Sequence, residues 1–106
     1  VSNPSKRKGS AWEVAVCDYL KQWFPYVERR VTAGQNDRGD IGGIPGVMLE
    51  CKAEKQIKLS EYMDEVAAQK ANAGAQVGVA VVKRRNHGVD RAYVVLELKD
   101  FVDLIS

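Results

Sequence analysis

The chain has 106 residues, with 16 basic and 14 acidic side chains, two cysteines and one histidine. That length holds one domain, and a composition 45% hydrophobic and 28% charged excludes a wholly disordered chain. No apolar run approaches the about 20 residues needed to span a bilayer, two cysteines make no disulfide framework, and one His with two distant Cys cannot complete a conventional zinc site.

Residues 1–8, VSNPSKRK, read as a flexible basic arm ahead of a single domain over 9–106. Val1 is an unusual natural start, and nothing resembles a signal peptide. Cys17 and Cys51 lie in apolar segments and read as free, buried thiols in a reducing compartment. That compartment is the cytoplasm, or a host's cytoplasm for a virus-encoded chain. Ser10 can cap a helix running to about Phe24, with Trp12, Ala15, Val16, Tyr19, Leu20 and Trp23 on one face and Pro25 as its stop. Residues 26–32 read as a strand, followed by the loop AGQNDRG. Asp40 and Ile41 open a short strand, GGIPG reverses the chain, and residues 47–53, VMLECKA, return as its hairpin partner.

A second helix is expected from Leu59 or Ser60, with an apolar stripe of Tyr62, Val66, Ala67 and Ala71 and with Gly74 just beyond its end. Residues 76–83 form a nearly unbroken apolar strand, and Asn86-His87-Gly88 makes a turn. Residues 91–98 return as a strand, and residues 99–105 form a short terminal helix or turn. The order α-β-β-β-α-β-β-α predicts an α/β fold in which a mixed sheet of about five strands is flanked by helices.

The net charge of +2 decides little, but the cations cluster. Lys6, Arg7 and Lys8 are contiguous, as are Arg29 with Arg30 and Lys83 with Arg84 and Arg85, and Lys52, Lys55 and Lys58 recur every three residues. Such clusters suit a polyanion, although basic runs are often only solvated surface.

Chemistry concentrates between Asp40 and Lys52. Side chains alternate along a strand, so Glu50 and Lys52 share one face while Leu49, Cys51 and Ala53 turn to the other. The hairpin folds Asp40 back beside Glu50, bringing two carboxylates and an ammonium to one patch. A Glu-x-Lys pair on a strand is ordinarily solvent-facing. Here the strand also carries Val47, Met48, Leu49 and Cys51, and so belongs to the interior. Two adjacent carboxylates repel unless a cation joins them. Mg²⁺, with Mn²⁺ as its substitute, is the hard ion that accepts such oxygens, and the Cys51 carbonyl offers a third. Lys52 would then assist an attacking water or the charge developing on a phosphate.

Asp40 followed by Glu50-Cys51-Lys52 resembles the core signature of the PD-(D/E)XK nuclease superfamily, with Gly39 standing in place of the motif's leading proline. Two further stretches resemble archaeal-type Holliday junction resolvases within it. One is Lys8-Gly9-Ser10-Ala11-Trp12-Glu13, and the other is Val27-Glu28-Arg29-Arg30-Val31-Thr32-Ala33-Gly34. The chain departs from those resolvases in offering Thr32 where they often carry Ser, and in being short.

The resemblance implies a restriction-endonuclease-like core and Mg²⁺-dependent hydrolysis of DNA phosphodiesters leaving 5′-phosphate and 3′-hydroxyl ends. It implies that Glu13 approaches the metal held by Asp40, Glu50 and the Cys51 carbonyl. It also implies an active-site residue on the second helix, for which Gln69 is preferred over Lys70. Lys6, Arg7, Lys8, Arg29, Arg30, Lys55 and Lys58 are the expected DNA contacts. His87 belongs to its turn rather than to catalysis.

Paired cuts in a four-way junction call for a two-fold homodimer, with no membrane and no nucleotide cofactor. Two other readings stand beside junction resolution. One is a related endonuclease acting on flap, nicked or linear DNA. The other is a non-catalytic nucleic-acid-binding module on the same fold.

Overall fold

A computed structural model describes the backbone over residues 4–30 and 36–106, and the side chains of those residues from residue 9 onward. The elements are α1 (Pro4–Leu20), β1 (Glu28–Arg29), β2 (Ile41–Ile44), β3 (Val47–Lys52), α2 (Leu59–Ala73), β4 (Val77–Val82), β5 (Tyr93–Val95) and α3 (Leu98–Ile105), with a 3₁₀ turn at Val89–Arg91. The strands make one five-stranded mixed sheet in the order β1-β2-β3-β4-β5. The β3–β4 pair is parallel and the other pairs are antiparallel. The fold is therefore α/β, with the expected order of elements. A parallel pair needs a crossover, and α2 supplies it.

Both faces of the central strands are covered, as a parallel pair requires. Leu49, Val77, Val79 and Val81 pack against Trp12, Val16 and Cys17 of α1. Met48, Ala80 and Val82 pack against Tyr62 and Val66 of α2. The Trp12 indole N–H donates to the Val81 carbonyl at 3.0 Å, so α1 is tied to the sheet by a polar bond inside its own apolar contact. Gly78 stands under α2, where a Cβ would meet Val66 Cγ1 at 2.8 Å. β5 pairs only with Ala80–Val82, and the Gly78 N–H is left to donate to Asp100 Oδ2 of α3 at 3.0 Å. Lys70 Nζ approaches the other Asp100 oxygen at 2.8 Å. One buried carboxylate thus joins α3 to α2 and β4.

Several boundaries differ from expectation. α1 begins at Pro4, where proline's fixed φ suits a first turn, and ends at Leu20. Residues 21–24 leave the helix through turns ahead of Pro25, and Trp23 lies exposed with its ring edge-on to Tyr19 at 5.1 Å. Of the strand expected over 26–32, the described residues 26–30 are paired at Glu28 and Arg29, and residues 31 and 32 lie outside the described residues. The strand expected over 91–98 is shortened to 93–95 by the 3₁₀ turn before it. α2 buries Tyr62, Val66 and Gln69, whereas Ala67 and Ala71 are exposed. Gly74 caps it in the left-handed conformation, φ 64°. Both cysteines are free thiols, Cys17 buried and Cys51 half-buried. No helix among the described residues is long and apolar enough to cross a membrane.

Candidate active site

Asp40 is placed by the residue before it. Gly39 has φ +90°, and a Cβ there would stand 2.4 Å from Met48 Sδ and 2.9 Å from the Leu49 carbonyl oxygen. Its N–H donates to Asp37 Oδ1 at 2.8 Å. Proline can supply neither that φ nor that donor, so the glycine at this position has a physical cause. Asp40 then donates its N–H to the Leu49 carbonyl at 2.9 Å and accepts the Cys51 N–H on Oδ2 at 2.8 Å. The Cys51 carbonyl lies on the same edge of the strand as that N–H.

Glu50 turns to the α2 face and is 6% exposed. Its Oε2 accepts Gln69 Nε2 at 2.9 Å and lies 3.7 Å from Lys52 Nζ, while Oε1 is buried without a partner. Burial, followed by the charge of Asp40, pushes the Glu50 acid up to about 8. The same Gln69 amide donates to Asp37 Oδ2 at 3.0 Å, so one side chain joins two acidic residues. The Asn72 side chain donates to the Asp37 carbonyl at 2.9 Å, and this strengthens the link between the segment before β2 and α2.

Lys52 lies between acids. Its ammonium is 2.7 Å from Glu65 Oε2 and sits over the Tyr62 ring at 5.1 Å. Burial favours the neutral amine, but the Glu65 hydrogen bond and the charges of Glu50 and Glu65 outweigh it and raise the pKa. Glu13 reaches the cluster from α1, on the opposite face. Its Oε1 pairs with Arg29 at 3.3 Å. Burial and the charge of Asp40 raise the Glu13 acid against the opposing effect of Arg29.

Asp40, Glu50, Lys52, Gln69 and Glu13 thus lie about one end of β3. Arg29 is engaged with Glu13. Arg30 donates to the Arg38 carbonyl at 2.8 Å and lays its guanidinium against Gly42, where a Cβ would be 2.2 Å away. Lys55 and Lys58 are exposed on the connection from β3 to α2. Lys70 is turned to Asp100 instead of Glu50. His87 is exposed in its turn, with Nδ1 at 2.9 Å from the Arg85 carbonyl. The side chains of Lys6, Arg7 and Lys8, and the whole of Thr32, lie outside the described residues.

Sequence reasoning missed Glu65 and Asp37. Glu65 had a signal, because Tyr62, Glu65 and Gln69 follow helical spacing on one stripe. Asp37 had none beyond a turn composition.

Among the described residues no three His, Cys, Asp or Glu side chains form a metal-holding group. The donor set still fits a hard ion that binds through one or two carboxylates and keeps its waters. Asp40 and Glu50 supply the carboxylates, and Glu50 Oε1 is a buried oxygen without a partner. Comparison with protein families, curated proteins and solved structures found no match to this chain.

Proposed function

We propose that the chain is a Mg²⁺-dependent DNA endonuclease of the PD-(D/E)XK kind, resolving four-way junctions by paired cuts as a homodimer. The observation carrying this reading is the meeting of Asp40, Glu50 and Lys52, with a buried Glu50 oxygen that has no partner. Two acids this close, one raised to about 8, are an expensive arrangement for structure alone and a natural one for a cation.

Asp40, Glu50 and the Cys51 carbonyl would hold the ion, with Glu13 joining directly or through water. A bound Mg²⁺ supplies an acidified water and neutralises phosphate charge. The protein's own groups do the rest. Gln69 orients Glu50 so that Oε1 remains available. Lys52, kept protonated by Glu65, serves as a cation toward the scissile phosphate rather than as a base. Arg29 steadies Glu13.

The test is cleavage of a labelled four-way junction, a flap and a linear duplex with Mg²⁺, comparing wild type with Asp40→Asn and Lys52→Ala. Symmetric cuts confined to the junction and lost in both variants support the proposal. Cutting of all three DNAs, lost in the variants, keeps the site but makes the protein a general or flap nuclease. Binding without any cutting leaves a nucleic-acid-binding module.

A further inference from the structure

A second feature lies at the same end of the sheet. A cavity of about 500 Å³ opens between the β3–α2 connection and the β4–β5 connection. Its lining includes Lys55, Lys83, Arg84 and Arg85, against the single carboxylate of Glu54. Among the described residues none of these four cations forms an ion pair. Arg84 lies over the Tyr93 ring at 5.5 Å and Lys83 over the Trp12 ring at 5.9 Å, so two of the cations are positioned by aromatic faces without being neutralised. Four unneutralised cations around one hollow repel one another, and that cost is relieved by an anion.

The cavity adjoins the carboxylate cluster. Its wall begins at Ala53, the residue after Lys52, and the Lys83 N–H donates to the Lys52 carbonyl at 2.8 Å. Strands in a sheet are about 5 Å apart, so the hollow between β3 and β5 lies one or two strand spacings from Asp40 and Glu50. Ligands of open α/β sheets bind outside the carboxyl ends of parallel strands, where this hollow is found.

We infer that this cavity binds the phosphodiester backbone of a nucleic-acid strand extending from the carboxylate cluster, with Lys55, Arg84 and Arg85 as its phosphate contacts. The inference rests on the nuclease reading for its ligand and adds a backbone site. The cavity's volume and charge suit successive phosphates better than one small anion.

The experiment measures the affinity of a labelled four-way junction and a linear duplex for the full chain in EDTA across a salt series. Wild type is compared with Arg84→Gln/Arg85→Gln and with Lys55→Gln/Arg85→Gln. The second pair of residues is exposed and leaves the Arg84–Tyr93 contact intact. A Lys21→Gln/Lys99→Gln variant removes the same charge elsewhere on the surface. Each phosphate contact contributes about 0.9 to the slope of log affinity against log salt. Both cavity variants should lose about two from that slope and bind about tenfold more weakly at moderate salt, beyond any change in the control.

Cavity variants that match the control overturn the inference. So does a wild type that binds neither DNA. Mg²⁺-dependent cutting by the same preparation separates the two claims. Cutting with unaffected cavity variants removes the backbone site and leaves the nuclease, while cavity-dependent binding without cutting does the reverse.

Discussion

Gln69 donates to Glu50 at 2.9 Å through the same amide nitrogen that donates to Asp37 at 3.0 Å. An amide has two N–H groups, and both are spent on carboxylates, one on β3 and one in the segment before β2. Gln69→Leu keeps the bulk of the side chain and leaves the buried Glu50 carboxyl without its donor. Urea unfolding should show a loss of about 1–3 kcal/mol. A loss below about 0.5 kcal/mol would mean that the bridge does not hold the site together.

Glu65 is the nearest anion to Lys52, at 2.7 Å against 3.7 Å for Glu50. Glu65→Gln removes the hydrogen bond and charge that help hold the Lys52 pKa up. The high-pH limb of single-turnover cleavage should therefore move to lower pH, with the plateau rate falling about threefold to tenfold. Lys52→Ala should cost about a hundredfold or more, because it removes the cation itself. Glu65→Asp should recover part of the shift. An unchanged pH limb in Glu65→Gln would remove Glu65 from the positioning of Lys52.

Writing the superfamily's proline into this chain should damage it. Gly39→Pro imposes φ near −65° where the backbone is at +90°, and deletes the N–H that Asp37 accepts. A loss of about 3 kcal/mol or more is expected in thermal or urea melts, with cleavage lost because Asp40 is displaced. Gly39→Ala should also destabilise, since its Cβ would meet Met48 and the Leu49 carbonyl.

Glu50 makes stability depend on pH in an unusual direction. Its folded-state pKa of about 8 lies above the ordinary 4.5, so the folded chain binds the extra proton between those values. Stability from this group is complete below about pH 4.5 and declines as pH rises toward 8 in the absence of divalent ions. Melts from pH 5 to 8 in EDTA should fall, and Glu50→Gln should flatten that slope. A wild-type slope of the opposite sign, unaltered by Glu50→Gln, would contradict the burial argument.

Asp40, Glu50 and Lys52 were legible because strand alternation and a short hairpin are local rules. The five strands and their order followed from apolar runs separated by glycine-rich turns. Pairing set the lengths of β1 and β5 among the described residues, and alternation alone could not show that β5 is paired only over Tyr93–Val95. Ser10 looked like a helix start, yet Pro4 also suits a first turn and the helix extends back to it. Asp100 passed unnoticed because its burial depends on Lys70 and Gly78, 30 and 22 residues away. The site's long-range members divide the same way. Gln69 was reached only through resemblance, and Asp37 needed the fold.

The most direct measurement is calorimetric titration of the wild-type chain with Mg²⁺ at pH 7 in two buffers of different ionisation heat. A cation joining Asp40 and Glu50 must displace the proton that burial and Asp40 keep on Glu50. The account predicts binding with release of close to one proton per ion. Binding should disappear in Asp40→Asn, and in Glu50→Gln any residual binding should release no proton. Absence of Mg²⁺ binding by the wild type, or binding unaffected by either substitution, would contradict the cation site on which the proposed nuclease depends.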